Sequence, residues 1–414
     1  MLKRSLAVLF ILFIHSAKAQ DLIVAANPVS GEQRTAFNVQ IEAFKRAHPN
    51  ISVSLNIYEH ETFKKTVEES LAKKSALADI LFWFGGASLR HFADQQWIQP
   101  VTALWQAEDW DNVFSAASKQ AVTRGEDQFG LPLYYYQWGI YYRKSLFSQL
   151  KLHPAQTWEQ LLMLGKKLNQ NNIKPFTIGT KNHWPAAGWF DYLNLRLNGL
   201  KYHESLLGGC ISFTDTGVKQ VFEHWQQLLR QNFFIDHTER LAWKDALPYL
   251  YHNKAGMLLM GNFFLASVPE TLSHDIGFFP FPTINPVAGR YEDAPIDVLI
   301  IPKQTENRDA AEQFMRFMAR AENQSTLASS LGMIPPNRLA ELSDNALIRQ
   351  GSALLNQAQG LAQFFDRDTH PVFTKLALPL FSEFMDQPDK LNTILSKLEL
   401  ARQEVWQKSP DSCN

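Results

Sequence analysis

An α/β fold spread over two domains is predicted, and three observations predict it. Short apolar runs alternate with helical stripes through the first hundred residues after residue 19. Roughly 395 residues follow that point, more than one hydrophobic core usually supports. From Gly130 the texture shifts to an aromatic-rich run and longer helical stretches, with no repeat, low-complexity tract or linker. Two domains without a linker imply several chain crossings between them.

The chain opens on Lys3 and Arg4, followed by an unbroken apolar run from Leu6 to Ile14 and the triplet Ala17-Lys18-Ala19. That three-part layout is a secretory signal peptide over residues 1–19. The apolar run is too short to cross ~30 Å of hydrocarbon as a helix. Export is expected to leave a soluble monomer that starts at Gln20 in the periplasm.

Each element follows from its pattern. Leu22 to Ala26 reads as a buried strand. Ser30 and Gln33 form an S-x-x-Q capping box. Behind it Phe37, Ile41 and Phe44 make a helical stripe that Pro49 ends. Val53, Leu55 and Ile57 alternate as a strand. Phe63, Val67 and Leu71 make a second stripe, and Asp79 leads into the strand Ile80 to Phe84. A β-α-β-α-β order gives a parallel sheet with helices on its faces. Ligands of such sheets sit beyond the carboxyl ends of the strands, which places Asn27 to Glu32 and Trp83 to Ser88 there. Further on, Thr157-Trp158-Glu159 starts a helix, and Phe176 to Ile178, Ile276 to Phe281 and Val298 to Ile301 read as strands. Ala310, Phe314 and Phe317 form another stripe.

Charge and composition exclude some functions. Removing Lys3, Arg4 and Lys18 from 40 basic residues leaves 37 against 41 acidic ones, a net charge of about −4. Without a basic stripe, nucleic acid is not the partner. Cys210 and Cys413 are too far apart for a CxxC site. They form either one disulfide that ties the C-terminal tail down or two free thiols, since sequence does not supply the geometry. The 11 Trp residues, beside carboxylates and amides, suit a sugar cleft, where apolar sugar faces stack on rings.

The succession AFKRAHPNISV, ADILFWFGGASLRHFADQQWIQPVT, GLPLYYYQWGIYYRKSLF, TWEQLLMLGKKL, NHWPAAGWF, NKAGMLLMGNFF, DIGFFPFP and AAEQFMRFMARAENQ resembles family 1 extracellular solute-binding proteins, the group that includes maltodextrin-binding proteins. The stretches keep the family order over nearly the whole exported chain. The resemblance implies a type II periplasmic binding protein fold: two α/β lobes, a hinge crossed three times and a ligand cleft between the lobes. The crossings are expected near Pro132, near Pro280 to Pro282 and near Leu331 to Pro335. The N-terminal lobe then comprises 20–131 and 281–331, and the C-terminal lobe 132–280 and 332–414. The implied function is sugar capture and delivery to an ABC transporter permease, with no cofactor and no metal. Two departures count against maltose: Arg143 replaces the family's usual Asn, and Phe82-Trp83-Phe84-Gly85-Gly86 lacks the carboxylate of the FWxxD segment.

By the same resemblance Trp83 matches a cleft Trp, Tyr136 a contact just past the hinge, Trp184 the Trp of a TWP-like segment, and Phe263 a stacking Trp. Lys181 stands where that type carries an aromatic, and Asn262 offers an amide beside Phe263. Glu32, at the start of the first helix, is suited to accept sugar hydroxyls, although acids favour helix N-termini through the dipole alone. Period-two alternation turns Tyr134, Tyr136 and Trp138 one way and Tyr135 and Gln137 the other, and the first set is assigned to the cleft. Asp297 is a carboxylate at the start of an apolar strand, so it needs an Arg, a ligand or water. Asp366 and Arg367 are placed to grip vicinal hydroxyls. Trp243 and Asp245 are weaker candidates.

Rival readings are a secreted glycoside hydrolase, which needs paired carboxylates, and a ferric carrier using Tyr134-Tyr135-Tyr136 and Tyr141-Tyr142. A third reading couples the same binding fold to a membrane sensor kinase. No G-x-S-x-G, H-E-x-x-H or P-loop pattern occurs, so the chain is expected not to be an enzyme.

Overall fold

The structure is a computed structural model that describes residues 20–28, 31–75 and 77–406. The leader, the Ser30 cap and Cys413 fall outside those residues. Cys210 is disulfide-bonded, and the chain's one other cysteine is Cys413.

The amino-terminal alternation forms as its periodicity requires: β1 (Gln20–Ala26), α1 (Gly31–Ala47), β2 (Ile51–Ile57), α2 (His60–Ala72), β3 (Ile80–Phe84) and α3 (Ala87–Asp94). The stripe Phe63, Val67 and Leu71 is the buried face of α2, whose first turn is capped by the Glu59 side chain. Next come β4 (Leu131–Tyr135), β5 (Trp138–Arg143), α4 (Trp158–Gln170), β6 (Lys174–Thr177) and α5 (Trp184–Asn198). They are followed by β7 (Ala255–Gly261), β8 (Ile276–Phe279), β9 (Tyr291–Asp293) and β10 (Ile296–Ile300). The chain closes with α6 (Arg308–Ala319), α7 (Ala321–Leu331), β11 (Gly360–Ala362), α8 (Phe365–Asp368), α9 (Pro371–Asp386) and α10 (Leu391–Trp406).

Two sheets form two lobes. The first has the order β2-β1-β3-β10-β4, with β1, β2 and β3 parallel and β10 antiparallel to both β3 and β4. It is therefore mixed rather than purely parallel, because β10 and β4 join it from distant parts of the chain. All five residues of β3 are buried, with α2 and α3 packed near it. The second sheet has the order β8-β5-β7-β6.

The first two passages between the sheets differ in place from the expected boundaries. Pro132 lies within β4, whose register with β10 holds it in the first sheet, so the chain leaves that sheet at Tyr136 and Gln137. The second passage begins after β8. Its strand β9 pairs with β11, and Glu292 binds Arg196 of α5 at 2.8 Å, so the return to the first sheet is complete only at β10. The third follows α7, where Ile334 exchanges backbone hydrogen bonds with Tyr135.

Candidate functional site

A cavity opens where the carboxyl ends of the first sheet face the second. Its empty space is about 720 Å³, part of it open to solvent.

The first sheet's side is fixed by strand register. Asp297 stands opposite Phe84 on one neighbour and Tyr134 on the other, with a register shift just after it. Those three line the cavity with Asn27, Gln33 and His60. Arg367 of α8 reaches Asp297 through Nη1 at 2.6 Å, and its guanidinium carbon lies 4.1 Å from the Phe84 ring centre and 5.5 Å from that of Tyr136. Burial opposes the Arg367 charge, but the Asp297 and Asp366 carboxyl groups more than restore it, so the group stays cationic. Burial pushes the Asp297 carboxyl up; Arg367 and a hydrogen bond from Tyr134 oppose that rise without cancelling it. Burial likewise keeps the Tyr134 and Tyr136 phenols protonated. Asp366 lines the cavity, and its carboxylate makes no hydrogen bond among the described residues.

The opposite side is a wall of rings. Trp138 stacks on Phe364 at 4.7 Å and 21°, with Trp184 edge-on to it at 6.2 Å. Phe263 meets Tyr136 at 5.3 Å and Trp243 at 5.4 Å, both edge-on. Local backbone sets these positions. His183 takes a φ of +64°, unusual for a non-glycine residue, and bonds Ser382, which starts α5 at Trp184. Gly188 on the same helix leaves room for Trp138, since a Cβ there would stand 2.8 Å from its ring.

The structure thus brings Tyr136, Trp138, Trp184, Phe263, Asp297, Asp366 and Arg367 together, along with Tyr134 and Trp243. Five sequence candidates need correction or fall outside. Trp83 is core: it stacks on Phe92 at 4.7 Å and also neighbours Phe63, while the next residue, Phe84, faces the cavity. Asn262 is buried and spends its amide on the Gly332 carbonyl at 2.7 Å, joining the second sheet to the third passage. Lys181 is exposed and does not line this cavity. Glu32 belongs to the first turn of α1, and its side chain lies outside the described residues. Asp245 also misses the cavity, accepting the Ala242 amide instead.

Sequence reasoning missed His60, Met333 and Phe364, placed Asn27 and Phe84 only within segments, and read Gln33 only as a cap. Alternation within β3 separates Phe84 from Trp83, but nothing in a fully apolar strand says which face meets the cavity. Phe364 had a signal in the Phe364-Phe365 pair; Met333 had none.

Residues 28–325 match the family model described as bacterial extracellular solute-binding protein. The chain belongs to that family. A relative of this solute-binding protein, an ABC transporter extracellular-binding protein of Pyrococcus horikoshii, is 26% identical over 329 residues, 78% of this chain and 73% of that one. The Multiple sugar-binding protein of Streptococcus mutans is 25% identical over 195 residues, 44% of this chain and 45% of that one. Among solved structures, the bacterial solute receptor AcbH, with an exclusive preference for β-D-galactopyranose, superposes with a TM-score of 0.88 at 27% identity, covering 94% of this chain and 100% of that one. A chitin oligosaccharide binding protein shares the fold, with a TM-score of 0.84 at 19% identity over 94% and 99% of the two chains.

Proposed function

We propose that this solute-binding protein is the sugar receptor of an ABC importer, and that its ligand is a single neutral pyranose held between the ring wall and the polar wall. The observation that carries this reading is that Trp138, Trp184 and Phe263 line one cavity together with Asp297, Asp366 and Arg367. A pyranose has the matching two-sided chemistry. Its C–H faces stack on rings, worth about 0.5–1.5 kcal/mol per ring beyond the buried area, and its hydroxyls bond charged groups at about 1.5–3 kcal/mol each. A galacto-configured ring suits the wall best, because its axial 4-hydroxyl leaves C3–H, C4–H and C5–H together on one face. AcbH, with its galactopyranose preference, supports that choice.

Arg367 is already paired with Asp297, so it offers no unneutralised cation to an acidic sugar. The protein acts by binding alone, as a monomer exported through cleavage before Gln20. Mass spectrometry of periplasmic protein checks the cleavage, and an intact Lys3-Arg4 segment would refute it. Calorimetry with D-galactose, D-glucose, galacturonate and maltotriose tests the ligand class. Micromolar binding of D-galactose and none of galacturonate is expected; binding of no sugar, or of maltotriose alone, overturns the reading.

A further inference from the structure

His60 is the first residue of α2 and one of the cavity's lining residues, and no sequence pattern marked it. Its Nδ1 lies 2.8 Å from the side-chain amide nitrogen of Asn27, which follows directly on β1. An amide N–H donates, so Nδ1 accepts and the ring proton resides on Nε2. Nε2 makes no hydrogen bond among the described residues, yet it is not one of the buried polar atoms sealed without a partner. The open side of this ring is the cavity.

We propose that His60 is a fixed, neutral hydrogen-bond donor to the ligand, and that Asn27 is the positioning residue that fixes its tautomer. The inference rests on reading the cavity as a sugar site and adds what that site demands at one corner: an oxygen acceptor, either a hydroxyl or the ring oxygen. An ammonium group there would set donor against donor, so amino sugars bearing nitrogen at that corner are disfavoured.

The surroundings keep the ring neutral. Burial is the largest influence that holds the His60 pKa well below its ordinary value. Three cations add to it: Lys64 on α2 itself, Arg367 on α8, and Lys244 from the segment preceding β7. The positive end of the α2 dipole acts in the same direction. The nearby Glu59 carboxylate is committed to capping α2 through the Thr62 amide at 2.9 Å. The Phe84 ring, 6.1 Å away, covers another side. Asn27 contributes what the cations do not, a choice between the two neutral tautomers.

The dyad is tested on the full exported chain by nitrogen-15 NMR of its histidines, with D-galactose as the binding probe. His60 should show the Nε2–H tautomer and no titration between pH 5.5 and 8. Asn27→Asp replaces a donor by a carboxylate acceptor, so the His60 pKa should rise into that range. D-galactose affinity should then change from pH-independent to pH-dependent. His60→Ala should weaken D-galactose about tenfold, whereas His60→Gln, whose amide nitrogen replaces Nε2, should stay within about threefold of the unaltered protein. An Nδ1–H tautomer, a His60 that titrates near pH 6.5 in the unaltered chain, or a His60→Ala with full affinity overturns the proposal. If the unaltered protein binds no sugar, the sugar reading falls, and the tautomer measurement decides the dyad by itself.

Discussion

The guanidinium carbon of Arg367 stands 4.1 Å from the centre of the Phe84 ring. The two residues come from different lobes and meet on one side of the cavity: Phe84 ends a strand of the first sheet, and Arg367 sits on a short helix that packs against α5 of the second lobe. Asp297, in register with Phe84, takes one guanidinium nitrogen at 2.6 Å. A buried charge is thereby neutralised and held in one orientation, and the remaining fork of N–H groups is left for a ligand. The same contacts cross the interface between the lobes.

Arg367→Lys should weaken D-galactose at least tenfold, because an ammonium neither stacks on Phe84 nor offers a planar fork. Thermal stability should fall little, since the positive charge that neutralises Asp297 is kept. Calorimetry and a thermal melt separate the two effects. An affinity within twofold of the unaltered protein would show that the guanidinium geometry is unused.

Trp83 and Phe84 give opposite predictions from adjacent positions. Trp83→Ala should cost about 3–5 kcal/mol of stability by opening a cavity against Phe92 while leaving affinity intact. Trp184→Ala and Phe84→Leu should each weaken binding about tenfold and leave the fold in place. Melting curves and titrations on the three variants decide it; a Trp83→Ala protein that melts normally but binds poorly would return Trp83 to the site.

That pair also shows where the sequence was legible and where it was not. Phe63, Val67 and Leu71 announced the buried face of α2 because the helix is polar elsewhere. In β3 every residue is buried, so alternation has no polar face to orient it. Tyr134, Tyr136 and Trp138 do reach one cavity, but for another reason than one strand's alternation: the chain changes sheets between β4 and β5. Asp297 was conspicuous because a carboxylate starting an apolar strand needs a partner. That its partner is Arg367, 70 residues away, is a tertiary fact that no local pattern carries.

Asp293 provides a test through pH. It is fully buried on β9, and neither carboxylate oxygen has a hydrogen-bond partner among the described residues. Burial is the main cause that pushes its carboxyl well above the usual range, and Arg367 opposes this only in part. A raised folded pKa favours the protonated form, so its contribution is fully present below the unfolded value of about 3.9. That contribution is lost as pH rises through the folded value. Asp293→Asn imitates the neutral acid and removes the loss. The variant should be more stable than the unaltered protein at pH 8, with the advantage shrinking toward pH 4. Equal offsets at both pH values would show that this carboxyl does not set the dependence.

The last prediction concerns closure. Glu68 of α2 and Arg90 of α3 belong to the first lobe, and they pair with Lys375 of α9 and Asp368 of α8, both at 2.8 Å. Together with the Arg367–Asp297 pair they bridge the lobes. A sugar touching both walls adds contacts that only the closed arrangement offers, so it shifts the population toward closure by no more than its differential affinity. A micromolar ligand has about 8 kcal/mol in all, and part of it closes the hinge. Apparent affinity then scales with the closed fraction. Lys375 is 63% exposed and its pair is screened by solvent, so Lys375→Ala should change affinity less than twofold. The Arg90 pair is more enclosed, at 32% and 16%. Arg90→Ala should therefore weaken D-galactose about threefold to tenfold, mainly through faster release. Small-angle scattering should show a smaller radius of gyration with saturating D-galactose, and a larger unliganded radius for Arg90→Ala than for the unaltered chain. A bound ligand of micromolar affinity that leaves the radius unchanged, with Arg90→Ala binding normally, would mean that capture does not proceed through closure.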